Sequence, residues 1–135
     1  MDFNPKKKNC IFLKKLEKTG GRWIFFHSII WNIRAIGKAP TVRRLKKLIH
    51  MHRLSLICVL VPFLHLDKLE STRNRLGIES AISSSSRKIW VFWLVSFTLE
   101  VIQDARQVLH CRVSHSFFPD PVFVSLVYAF FFISL

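Results

Sequence analysis

Six histidines, three cysteines and a dense run of arginine and lysine are the side chains here whose types could do chemistry. Metal binding needs ligands grouped at close spacing. Cys10, Cys58 and Cys111 are far apart, and no Cys-x-x-Cys pair exists, so a zinc site is not expected. An odd cysteine count with apolar neighbours around Cys58 points to reduced, buried thiols in an intracellular chain. His50 and His52 lie two apart, which sends them to different sides of a helix. His110 and His115 have no carboxylate close in sequence. Glu100 and Asp104 could meet on one strand face, although a solvated strand edge explains them as well. Gly37-Lys38 lacks the spacing of a phosphate loop. The strongest candidate surface is cationic: Arg43, Arg44, Lys46 and Lys47 could contact nucleic-acid phosphates. The competing reading, that they form the solvated outer face of a packed helix, carries more weight.

These residues need elements to position them. Phe25 to Ile33 is an apolar, aromatic-rich strand with Asn32 near its end. Gly37 and Pro40 break the chain, and Thr41 is placed to cap a helix. Val42, Leu45, Leu48 and Ile49 recur at helical spacing, leaving the arginines and lysines on the opposite face. Leu54 to Val61 is an apolar run broken only by Ser55, the pattern of a strand buried on both sides. A second helix over His65 to Leu76 would bury Leu66, Leu69 and Leu76 with Arg73 beside them, and end at Gly77. Ile78 to Ser86 reads as a short strand and a serine-rich turn. Ile89 to Val95 is a continuous apolar run. Phe97 to Val101 and Leu109 to Val113 alternate apolar with polar residues, as half-buried strands do. Gln103 to Arg106 reads as a turn, Pro119 to Pro121 as a loop, and Val122 to Leu135 as a last apolar run.

Alternation of strand and helix, followed by hairpin strands, predicts an α/β layered fold. A chain of 135 residues forms at most one domain, and 50% apolar residues suffice for a core. The expected organisation is a basic, solvated tail over 1–24, a folded region over 25–129 and an apolar tail over 130–135. The net charge of +13 favours polyanions, either nucleic acid or an anionic membrane surface. Leu54–Leu64, Ile89–Leu99 and Val122–Leu135 are each shorter than the ~20 residues a spanning helix needs. They fit buried strands better.

Taken in order, Trp31-Asn32-Ile33-Arg34, the basic helix, the second apolar strand, Ser83 to Trp93 and Val122 to Ala129 carry a resemblance. They resemble the start of an endonuclease/exonuclease/phosphatase domain, in the form found at the front of plant LINE-type retrotransposon proteins. The likeness spans about Ile29 to Ala129, most of the chain but only the first part of such a domain. It implies a truncated piece of a layered α/β sandwich. For the intact family it implies phosphodiester cleavage with Mg²⁺, which neutralises phosphate charge and orients water. By the resemblance, Asn32 takes the place of a strand-end asparagine in the metal or phosphate region. Val61 stands where the family has its key glutamate ligand, and an isopropyl group cannot hold a cation. Ala35 replaces an expected glycine. The family's later Asp-x-Asn and Asp-His elements are not found in the sequence. The resemblance therefore implies a degenerate, inactive fragment of a Mg²⁺-dependent DNA endonuclease, with no cofactor expected in this chain. Two alternatives stand beside it: a small basic membrane-associated protein using Val122 to Leu135, and a nonspecific nucleic-acid-binding remnant. Nucleic acid is the favoured partner and membrane the lesser one. No small-molecule cofactor is expected, and a nuclear or cytoplasmic location is favoured over a membrane one.

Overall fold

The computed structural model describes residues 10–19, 22–32, 36–60, 65–116 and 118–127. The fold is α/β, as the strand and helix periodicities predict. Among the described residues it has eight strands and two helices. These are β1 (Cys10–Thr19), β2 (Arg22–Asn32), α1 (Ala39–His52), β3 (Leu56–Leu60), α2 (Lys68–Leu76), β4 (Ser80–Ser83), β5 (Ile89–Trp93), β6 (Thr98–Asp104), β7 (Val108–Ser114) and β8 (Val122–Val127).

The strands form two sheets, one ordered β1-β2-β3-β5-β4 and the other β6-β7-β8. In the larger sheet β2 and β3 run parallel, joined through α1, and β1, β4 and β5 pair antiparallel with their neighbours. The smaller sheet is antiparallel throughout, with an irregularity between Val101 and Gln103. β6 continues past it through Asp104, so the turn expected over Gln103 to Arg106 begins later, at Ala105.

The alternation of side chains along β3 and β5 divides the core in two. Ile57, Val59, Trp90 and Phe92 point to the helices, where they meet Val42, Leu45 and Leu48 of α1 and Leu69 and Leu76 of α2. Leu56, Cys58, Ile89 and Val91 point the other way, onto Leu109, Cys111, Val113, Val124 and Leu126 of the smaller sheet. The result is three layers: helices, large sheet, small sheet. Leu54 to Val59 are all buried because β3 has neither face in water. The described parts of the three long apolar runs hold β3, β5 with the start of β6, and β8; Leu54–Ser55 and Leu94–Phe97 lie outside the strands, so the run expected from Ile89 to Leu99 is broken by a turn. No helix among the described residues is long and apolar enough to cross a membrane.

Four further expectations change. Cys10–Thr19 falls in the region read as a solvated tail, yet it pairs along its whole length with β2. Its sequence carries Lys14, Lys15 and Lys18, and lysine is a common residue on edge strands. Thr41 is not the N-cap of α1. Lys38 occupies that position, because Pro40 suits the first turn, where its missing N–H is no loss. Leu66 precedes α2 and is exposed, and Thr72 takes the buried place on the helix instead. Arg73 is not packed on the apolar face either. Its guanidinium donates to the Glu70 carboxylate and to the Ile78 and Glu79 carbonyls. Gly77 ends α2 as expected, in a left-handed conformation at φ 73 with its N–H donated to the Arg73 and Asn74 carbonyls.

Candidate functional site

Two places can be built from the residues singled out above. One is the end of the large sheet where β2 and β3 finish together. Parallel pairing sets Ser28 opposite Leu56 and Asn32 opposite Leu60. The last residues of the two strands are therefore neighbours, and the residue after Leu60 in the chain is Val61. Val61 and Ala35 lie outside the described residues, as does the 130–135 segment. At the strand-end positions that the resemblance assigns to metal binding, the chemistry on offer is one amide and one isopropyl group. Neither is the carboxylate that Mg²⁺ takes, so these residues do not fit the ion. Among the described residues, no three histidine, cysteine, aspartate or glutamate side chains come together to hold a metal.

The other place is the outer face of α1. The apolar stripe of this helix is buried, which turns Arg43, Lys46, Lys47 and His50 out into solvent. Arg44 differs from its neighbours. It is half-buried, with its guanidinium carbon 5.9 Å from the centre of the Trp31 ring, a cation–π contact that ties it to β2. Arg53 caps the helix C-terminus in a left-handed conformation and is exposed. Arg75 of α2 donates to the Gly37 carbonyl at 3.3 Å, which brings its positive charge beside the start of α1.

The remaining chemical candidates are used structurally. Glu100 pairs with Arg112 across β6 and β7. Asp104 accepts from the Ser85 amide and hydroxyl at 2.9–3.2 Å, tying the serine-rich turn to the end of β6. The two carboxylates thus hold separate partners and form no acid pair. His27 donates from Nδ1 to the His52 carbonyl at 2.6 Å. His110 bonds the Ser125 hydroxyl and stacks on Phe123, and His115 packs against Phe97 and Phe118. Cys58 and Cys111 are free thiols buried between the two sheets. Burial pushes the Cys58 thiol up, with the facing Cys111 adding to it, and lifts Cys111 to about 11, with Asp104 contributing. Thiols held protonated in this way are poor nucleophiles and poor metal ligands.

None of these cross-element contacts is marked in the sequence, among them Arg44 with Trp31, Arg75 with Gly37, Asp104 with Ser85, Glu100 with Arg112 and His27 with His52. Each joins residues distant in sequence, and no local pattern marks them. Comparison with known proteins found no family model and no curated protein matching this chain.

Proposed function

We propose that this chain is an endonuclease/exonuclease/phosphatase-type unit that does not cut phosphodiesters. The observation that carries the reading is the pairing of Asn32 with Leu60. It supports a site at one sheet end where the asparagine and the residue after Leu60 would act together. Glutamate at position 61 could complete a cation site there, and valine cannot. The layering of helices, large sheet and small sheet is consistent with a piece of an α/β sandwich.

The test has two arms. The purified chain with supercoiled plasmid and Mg²⁺ is expected to give no nicking above a mock preparation. Mg²⁺-dependent nicking that survives further purification and disappears in Asn32→Ala would overturn the proposal. In the second arm, Val61→Glu is expected to gain Mn²⁺ binding, read by paramagnetic relaxation of water, and Asn32→Ala is expected to weaken that gain. If Val61→Glu binds no more Mn²⁺ than the parent, position 61 is not a lost ligand.

A further inference from the structure

We infer that the solvent face of α1 is a strip that seats on the sugar-phosphate backbone of duplex DNA. Its test does not depend on the reading of Asn32 and Val61. From Lys38 to Arg53 the sequence holds no aspartate or glutamate. Lys38, Arg43, Lys46, Lys47 and Arg53 are all exposed, and Arg75 joins them through its bond to Gly37. The ion pairs found among the described residues, Glu70–Arg73 and Glu100–Arg112, lie off this helix. Apart from Arg44, the arginines and lysines of α1 thus face water without an internal counter-charge among the described residues.

The geometry favours duplex DNA over other polyanions. Arg43 to Arg53 cover about 15 Å of helix at 1.5 Å per residue. A duplex presents one negative charge for about every 1.7 Å of its axis, both strands counted, so a cationic face of this length lies within reach of several phosphates. Single-stranded nucleic acid is held by aromatic side chains on which bases stack. α1 contains no Phe, Tyr or Trp, and the nearby Trp31 ring is covered by Arg44. A membrane surface would ask the helix for an apolar face to insert. Here Val42, Leu45 and Leu48 are spent on the core, and Met51 is the large apolar side chain of α1 that remains exposed.

Arg44 is excluded from the strip because it leans on Trp31. Contacts from Arg43, Lys46, Lys47 and Arg53 would contribute a slope of about −3.6 to log affinity against log salt. Lysines elsewhere in the chain steepen the total, so the readout is the change on substitution.

The experiment is fluorescence anisotropy of the full chain with a mixed-sequence duplex, titrated with salt. The variant Lys46→Gln with Lys47→Gln is expected to bind at least tenfold more weakly near 100 mM salt. Its slope should be shallower by about 1.8. Both side chains are exposed, and unchanged circular dichroism would show that the fold is kept. The control, Arg87→Gln with Arg106→Gln, removes the same charge from exposed turns and is expected to change affinity less than threefold. An equal loss in the control, or an unchanged slope in the lysine pair, overturns the proposal. So does binding to phosphatidylserine vesicles that needs Lys46 and Lys47 and that duplex DNA does not displace.

Discussion

The division of the core by β3 can be tested with two neighbouring residues. Leu56 and Ile57 are consecutive, and they are 1% and 0% exposed. Leu56 belongs to the cluster between the sheets and Ile57 to the cluster beneath the helices. In a strand with one wet face, only one of two consecutive residues matters to stability. Here both must matter. Truncation of either to alanine removes three carbons, about 2.4 kcal/mol of transfer free energy at ~0.8 per carbon. The cavity left behind raises the cost, so each variant should lose about 3 to 4 kcal/mol. In a domain of this size that lowers Tm by roughly 10–15 °C. Ile102→Ala removes the same three carbons from a side chain that is 48% exposed, and it should cost less than about 1 kcal/mol. The assay is urea unfolding followed by tryptophan fluorescence, with the m-value as a check on two-state behaviour. If Leu56→Ala or Ile57→Ala costs under about 1 kcal/mol at an unchanged m, one face of β3 is solvated and the three-layer description fails.

Two further outcomes follow from backbone and burial. Gly77→Ala keeps its space, since an added Cβ meets nothing within 4 Å, but it must hold φ at 73. Left-handed geometry costs a β-carbon about 1 kcal/mol, so a loss near that size in urea unfolding is expected, and a neutral result would mean that the cap rearranges. Burial raises the Cys58 and Cys111 thiols, so the folded chain holds these protons after the unfolded chain has lost them. For Cys111 the contribution is complete below pH 9 and is lost as pH rises through about 11, and for Cys58 the loss continues to higher pH. Cys111→Ala should flatten the fall in Tm between pH 9 and 10.5, and identical slopes for parent and variant would refute the assignment.

Much of the fold was legible because most elements carry their own period. The helical spacing of Val42, Leu45 and Leu48 defines the buried stripe of α1. The alternation of Leu109, Cys111 and Val113 defines the inward face of β7. The unbroken apolar run at β3 anticipated burial on both sides. β1 was hidden because lysine-rich composition reads as a solvated tail, and only pairing with β2 turns it into a sheet edge. The start of α1 was misplaced for a local reason. A threonine hydroxyl and a proline ring both mark helix starts, and here the proline position sets the boundary.

The candidate sites divide along the same line. The sequence by itself determined which side chains exist: an amide at 32, an isopropyl group at 61 and a helix whose charged residues are all arginine or lysine. It also determined that the polar face of this helix would point outward, since the opposite stripe is apolar and must leave water. Tertiary structure alone decided which residues meet. Strand pairing sets Asn32 against Leu60, and packing of α1 on the large sheet lays Arg44 over Trp31 and removes it from the cationic strip. The physical reason is that periodicity is a property of one segment read against water. Register and cross-element contacts depend on two segments, and their partners lie too far apart in the chain for any local pattern to name them.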